Sequence, residues 1–362
     1  FNACSSALIN SILVAITVGT LVALLSVLAV HPAADFFAAD KTVGKYAGDF
    51  IFYRFLGIPF FLISVSFRGF FFGINKTKIF MFSGVLTNLL NILFNYMFIY
   101  GKFGAQEMGV AGSGLGSTFA TAFDALFYCV VILLPSYRKQ YRIFKNFRLN
   151  FNIIKTIYKI SLPVSFQNVF ILIGFLSFVG ITGLIGTTEQ AATQAVISTL
   201  FISFLPCFGF GIAVQTLVGN NIGSGKYNLA KIYGFETAKV ATYYTLTLGF
   251  IFFLIPQYVL LILTNNQSII EVAKPILRIA GFAQIFYASG VALANGLQAA
   301  GKTFFVMMAE VITNLLIFVP LAYLFGVYLK MGLVWAWLAL PVYIIIYTFI
   351  IFYKFRFDVW KD

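Results

Sequence analysis

Long apolar stretches without a single charge constrain this chain more than any other feature. Leu8 to Val30 and Ile79 to Tyr100 contain no Asp, Glu, Lys or Arg, and each reaches the roughly 20 residues that a helix needs to cross a bilayer core. Of the 362 residues, 61% are hydrophobic and 10% are charged, which is outside the usual balance of soluble domains. The sequence therefore predicts an all-α membrane protein.

Hydrophobic length divides the chain into ten predicted membrane helices. They cover residues 4–30, 47–74, 79–100, 112–135, 153–185, 195–218, 233–256, 269–298, 303–326 and 332–353. The loops on one side carry twelve basic residues: Lys76, Lys78, Arg138, Lys139, Arg142, Lys145, Arg148, Lys226, Lys302, Lys354, Arg356 and Lys361. The other side carries four: Lys41, Lys45, Lys102 and Lys330. Because Lys and Arg concentrate in cytoplasmic loops, both ends of the chain are predicted to be cytoplasmic.

The sequence contains an internal repeat with a period of about 225 residues. Its matches are Arg54 and Gly57 with Arg278 and Gly281, Lys76-Thr77 with Lys302-Thr303, Thr87-Asn88-Leu89-Leu90 with Thr313-Asn314-Leu315-Leu316, and Met108-Gly109 with Met331-Gly332. The period corresponds to six helices, an even number, so both copies have the same orientation in the membrane. The repeat predicts a two-lobe bundle of transmembrane helices.

The repeat also predicts the organisation of the chain. Residues 1–135 form an N-terminal lobe with four of its six helices, 136–152 a basic cytoplasmic linker, and 153–362 a C-terminal lobe with all six. Ten of twelve helices are then present, and two are expected to precede Phe1. The basic linker is expected to contact anionic membrane lipid.

Several motifs resemble those of one transporter family. Arg68 to Thr77 looks like the RGxxxGxxxTK stretch of multidrug and toxic compound extrusion transporters, and Asn88 to Gly101 looks like their NxxNxxLNYxxIxG stretch. In the second lobe, Leu162-Pro163, Gln215 to Gly219 and Asn295 to Gln298 are also similar. The resemblance covers essentially the whole chain.

This resemblance implies a fold and a function. Two lobes would alternate access to a central cleft, exporting an organic, cationic or amphiphilic compound in exchange for inward-moving H⁺ or Na⁺. It further implies a monomer in the bacterial inner membrane, with no cofactor and no bound metal beyond a coupling Na⁺.

Three asparagines mark the first candidate site. Asn88, Asn91 and Asn95 share one face of an apolar helix, and buried amides in lipid need polar partners. They are either hydrogen-bonding contacts between helices or a site for the coupling ion or substrate. In one branch of the resembled family an aspartate of the coupling site stands at the position of Asn95, so the coupling ion stays open here.

Two acidic residues fall inside predicted helices. Asp124 lies near the middle of its helix, where an unpaired carboxylate is costly, and is either functional or the partner of a neighbouring polar group. Glu310 lies nearer the cytoplasmic end of its helix, in either a solvated vestibule or the transport path. From depth alone, Asp124 is predicted to be more important for transport than Glu310. Arg68, near a cytoplasmic end, is predicted to be an interfacial anchor.

Neutral polar residues are the other candidates in the second lobe. In some relatives, carboxylates would fall near Ile171 and Tyr287, but neither residue is acidic here. A cation site there would depend on neutral groups such as Gln167, Asn168, Gln284 and Tyr287, whose alternative role is packing between helices.

Other function classes are disfavoured. Cys4, Cys129 and Cys207 show no metal-ligand spacing and His31 is the single histidine, while motifs for hydrolysis or ATP binding are missing from the sequence. The net charge is +13, and the basic residues lie between apolar segments. This position indicates flanks of membrane helices and not a nucleic-acid surface. The alternative to an efflux antiporter is a flippase for lipid-linked oligosaccharides, which would need several basic residues in its cleft to bind diphosphate.

Overall fold

The computed structural model describes residues 2–38, 40–141, 143 and 149–357. These residues form α-helices and short π-helical turns, and no β-strand occurs among them. The predicted all-α class is confirmed. Four basic residues of the predicted cytoplasmic side, Arg142, Lys145, Arg148 and Lys361, lie outside the described residues.

The chain divides into two compact units, Phe1–Ile157 and Tyr158–Asp362. The first unit contains α1 (Asn2–Phe37), α2 (Lys41–Leu56), α3 (Ile58–Gly73), α4 (Thr77–Tyr100), α5 (Gly109–Leu133) and α6 (Pro135–Gln140). The long helix α7 (Phe151–Ile185) begins in the first unit and continues into the second.

The second unit continues with α8 (Thr187–Gly223), α9 (Tyr227–Leu254), α10 (Pro256–Leu261), α11 (Gln267–Ala299), α12 (Thr303–Thr313), α13 (Val319–Tyr323) and α14 (Leu333–Phe357). Two π-helical turns, Asn314–Phe318 and Leu324–Tyr328, join α12 to α13 and follow α13. These four pieces form one continuous apolar span, Thr303–Tyr328.

Among the described residues, nine helices are long and apolar enough to cross a membrane, and the bent pair α2 and α3 makes a tenth if it is one span. The prediction of one helix over 47–74 was wrong in this respect, because the chain bends by 43° between α2 and α3. Pro59 follows the bend, and proline removes a backbone donor and clashes with the preceding helical turn. Gly57 at the bend lies against Thr118, whose hydroxyl donates to the carbonyl of Tyr53 at 2.6 Å.

The start of α2 is capped by a side chain. Asp40 accepts hydrogen bonds from the backbone N–H groups of Thr42 at 2.6 Å and Val43 at 3.3 Å, as an N-cap residue does. These bonds favour the carboxylate and lower the pKa of Asp40.

The backbone repeats its turns in the two units. Asn75 and Gly301 both have positive φ, 58° and 77°, just before the helices that begin at Thr77 and Thr303. Gly109 and Gly332 likewise have φ of 55° and 85° at the starts of α5 and α14. The sequence repeat is therefore also a repeat of left-handed turns at helix starts.

Candidate functional site

A cavity of about 340 Å³ lies inside the second unit, within the range of small-molecule sites. Its walls come from α7, α8, α11, α14 and the first π-turn with the end of α12. Nine aromatic side chains supply much of the lining: Phe175, Phe178, Phe204, Phe208, Tyr287, Phe318, Trp337, Tyr343 and Tyr347. The cavity is suited to a flat or apolar ligand.

Glu310 is the one acidic residue in the cavity wall, and no Lys or Arg of the described residues lines it. Its side chain is 2% exposed. The Tyr343 hydroxyl donates to Glu310 Oε1 at 2.5 Å, and Asn314 Nδ2 donates to the same oxygen at 3.3 Å. Glu310 thus has neutral donors and, within the described residues, no cationic partner. Of the two environments predicted for Glu310, this burial does not fit a solvated vestibule, and a place in the transport path stays a prediction.

An amide pair lies elsewhere in the same cavity. Gln298 Nε2 donates to Gln167 Oε1 at 2.9 Å, and both residues line the wall. Gly174 of the same helix contacts Asn314, the neighbour of Glu310. Gln167 lies seven residues before Gly174, or about 10 Å along α7. The cavity therefore offers hydrogen-bonding groups at one end and a carboxyl group at the other.

The structure brings four of the five predicted residues of the second lobe to this cavity, namely Gln167, Asn168, Tyr287 and Glu310. Tyr287 stacks on Phe204 with ring centroids 4.3 Å apart. Gln284 is not among the cavity-lining residues, and its Oε1 accepts a hydrogen bond from Ser203 at 2.8 Å.

Two residues around Glu310 were not found from the sequence. Asn314 was visible as part of the repeated Thr-Asn-Leu-Leu string, which gave no signal for its burial. Tyr343 lies in α14, whose apolar sequence has no periodic pattern to indicate a polar contact.

The asparagine face of the first unit forms a small hydrogen-bonded chain. Asn95 Nδ2 donates to Asn91 Oδ1 at 3.1 Å, and Asn91 Nδ2 donates to Ser117 Oγ on α5 at 3.1 Å. Asn88 is exposed and donates to the carbonyl of Gly84 in its own helix at 2.9 Å. Asn91 therefore connects α4 to α5, while Asn95 Oδ1 is buried without a hydrogen-bond partner among the described residues.

Asp124 has a different environment from Glu310. Arg68 Nη2 lies 2.9 Å from Asp124 Oδ2, and Ser83 and Thr87 donate their hydroxyls to Oδ1, the latter at 3.0 Å. The Arg68 guanidinium also lies over the ring of Phe80, 5.5 Å from its centroid. The prediction that Arg68 is an interfacial anchor was wrong, because this side chain turns inward to pair with Asp124. The ranking of Asp124 above Glu310 in importance for transport stays a prediction, and it was based on depth alone, which carries no information on these different partners.

Comparisons with known proteins agree with this fold. The MatE family model matches residues 1–97 and 163–324. A protein named "Probable multidrug resistance protein NorM" from Thermotoga maritima is 29% identical over 271 residues, which are 74% of this chain and 57% of that protein. A protein of the same name from Bacillus cereus is 25% identical over 340 residues, 92% of this chain and 73% of that protein. The chain thus spans little more than half of the Thermotoga relative.

Solved structures share the fold at low sequence identity. The chain matches a transporter of the MOP superfamily from Pyrococcus furiosus, whose title describes a binding pocket of reverse polarity, with a TM-score of 0.90 and 18% identity over 99% of this chain and 79% of that one. It matches the outward-facing conformation of a multidrug resistance MATE family transporter with a TM-score of 0.88 and 17% identity over 98% of this chain and 78% of that one.

Proposed function

Because the chain belongs to the MatE family, the multidrug and toxic compound extrusion transporters that its motifs resemble, we propose that it exports organic cations bound in the cavity of the second unit. The observation that carries this proposal is Glu310, a carboxyl group buried among aromatic rings without a basic neighbour in the cavity. A buried carboxylate without a counter-charge is costly. An organic cation can supply that charge while its apolar surface contacts the aromatic walls.

The shape of the cavity supports an elongated substrate. Along α11, the wall extends from Tyr287 to Gln298, eleven residues or about 16 Å. We expect a single positive charge near Glu310 and a hydrogen-bonding group near the Gln167 and Gln298 amides. The same charge distribution disfavours the alternative flippase, because a diphosphate would meet the carboxyl group and no basic side chain.

Coupling follows from competition for one carboxyl group. A proton, Na⁺ or the substrate cation can each neutralise Glu310, but one carboxylate cannot pair fully with two cations. Arrival of the coupling ion would therefore release the substrate, and alternating access of the two lobes would place these events on opposite sides of the membrane. The asparagine chain of the first unit is retained as a second candidate site, with Asn95 Oδ1 as its available oxygen.

Efflux of ethidium from energised cells or vesicles tests the proposal. Glu310→Gln keeps the shape of the side chain and its hydrogen-bonding capacity but removes the charge. We expect efflux to fall at least about tenfold, as loss of a charge-assisted contact implies, with membrane expression unchanged. Imposed pH and Na⁺ gradients in separate runs identify the coupling ion, and wild-type efflux by Glu310→Gln would refute the proposal.

The orientation in the membrane is proposed from the basic loops. A cysteine replacing Arg142 should react with an impermeant reagent only from the cytoplasm, and a cysteine replacing Glu107 only from outside. The three native cysteines are replaced in this background. Labelling of both positions from one side would contradict the orientation.

A further inference from the structure

The carboxyl group of Glu310 accepts a hydrogen bond from Asn314, which lies at the start of a π-helical turn. Glu310, Asn314 and Phe318 are spaced four residues apart, and all three line the cavity. In a regular α-helix, residues four apart drift around the axis. The π-turn Asn314–Phe318 contains more residues per turn, which returns the third side chain to the face of the first two.

Asn314 occupies a space that exists because residue 174 is glycine. A Cβ atom built on Gly174 would lie 1.7 Å from Asn314 Oδ1 and 2.6 Å from its Cγ. Asn314 is 4% exposed, and its Oδ1 is buried without a hydrogen-bond partner among the described residues. An unpaired buried amide oxygen is costly, so packing against Gly174 and the bond of Nδ2 to Glu310 must hold it there.

The other copy of the repeat shows that this arrangement is not a general property of the fold. Asn88 stands at the position of Asn314 in the repeated Thr-Asn-Leu-Leu string. It is exposed and lies in α4, which is α-helical throughout Thr77–Tyr100. The π-turn, the burial and the contact with a glycine occur together at Asn314.

We propose that Gly174 and Asn314 position the Glu310 carboxyl group for cation binding. Gly174 admits the Asn314 amide, whose Nδ2 donates to Glu310 Oε1 beside the Tyr343 hydroxyl. Because both donors are directed at Oε1, the proposal assigns cation binding to the other oxygen, Oε2. Asn314 is a positioning residue that acts through Glu310. This inference rests on the proposed function of Glu310.

Binding of ethidium to the purified intact transporter tests the inference, with the neutral dye N-phenyl-1-naphthylamine as a second ligand. Gly174→Ala should displace the Asn314 amide and weaken ethidium binding about tenfold, the size expected from losing one hydrogen bond to a charged group. Binding of the neutral dye should change less than twofold, because the aromatic walls are intact. Gly180→Ala is the matched control on the same helix, since a Cβ there meets nothing within 4 Å.

A double-mutant cycle separates positioning from general damage. If Gly174 acts through Asn314, then Gly174→Ala, Asn314→Ala and the double variant should show the same loss of ethidium affinity, because the second change removes nothing further. Additive losses, or equal losses for the two dyes, would overturn the inference. Gly174→Ala behaving as Gly180→Ala, while Glu310→Gln still loses efflux, would reject the positioning role and leave the proposed function intact.

Discussion

Among the described residues, each unit buries one carboxyl group, and the two groups have opposite kinds of neighbours. Asp124 in the first unit is 1% exposed and Glu310 in the second is 2% exposed. Asp124 has a guanidinium and two hydroxyls around it, whereas Glu310 has a phenol and an amide. Equal burial therefore conceals a paired charge in one unit and a carboxyl group without a cation in the other.

The repeat explains how one architecture gives both arrangements. The match of Lys76 with Lys302 places Ala294 at the position of Arg68, and the match of Met108 with Met331 places Tyr347 at the position of Asp124. Both Ala294 and Tyr347 line the cavity of the second unit. Where the first unit has an ion pair, the second has a small side chain and a phenol beside an open space. The second unit therefore has cavity-lining residues at the two positions where the first unit has its ion pair.

The largest expected difference between the two acids is in stability. Asp124→Asn leaves the partly buried Arg68 without its counter-charge, so we expect the protein to lose about 2–3 kcal/mol, somewhat less than for a fully buried pair. Glu310→Gln removes a charge that has no cationic partner and should leave stability unchanged or slightly increased. Thermal unfolding of both purified variants in the same detergent measures the difference.

A compensating change provides the control for this prediction. Adding Arg68→Met to Asp124→Asn removes the orphaned guanidinium, and most of the lost stability should return. If Glu310→Gln destabilises the protein as much as Asp124→Asn does, the two carboxyl groups have equivalent roles and the contrast fails.

The next largest effect should come from placing a cationic side chain in the cavity of the second unit, where no described Lys or Arg lines the wall. Ala294→Arg places a guanidinium in the cavity wall, at the repeat position of Arg68. It should pair with Glu310 and compete with an organic cation, lowering ethidium affinity by about ten- to a hundredfold, as a close charge pair implies. Ethidium titration of the purified variant measures this.

Ala294→Met is the matched control, because methionine, like arginine, is a long unbranched side chain that fills space but carries no charge. Methionine should cost ethidium affinity only the part that is due to filled space. Equal losses for arginine and methionine would show that the cavity selects by volume and not by the charge of Glu310.

The sequence predicted the helical spans and the repeat because both depend on apolar length and on spacing along the chain. It also identified Asn91, Gln167 and Glu310 as polar candidates within predicted membrane helices. It could not predict which acid is paired, because Arg68 and Asp124 are 56 residues apart and meet only through the packing of α3 on α5. The bend at Gly57 and the role of Gly174 depend on contacts with distant residues, which no local pattern contains.

The smallest expected effect concerns the hydroxyls around Asp124. Ser83→Ala removes one donor to Asp124 Oδ1 while Thr87 and Arg68 remain. We expect a loss of about 1 kcal/mol, the usual contribution of a single hydrogen bond, and no change in ethidium affinity or in the pH dependence of efflux. In the Asp124→Asn background the same change should cost less, because the bond to the carboxylate is already gone. Thermal unfolding of the two single variants and the double variant measures this coupling, while efflux across a range of external pH checks the function. A shift of the pH profile in Ser83→Ala would mean that Asp124 takes part in transport, and the first unit would then contain a working carboxyl group and not only a structural ion pair.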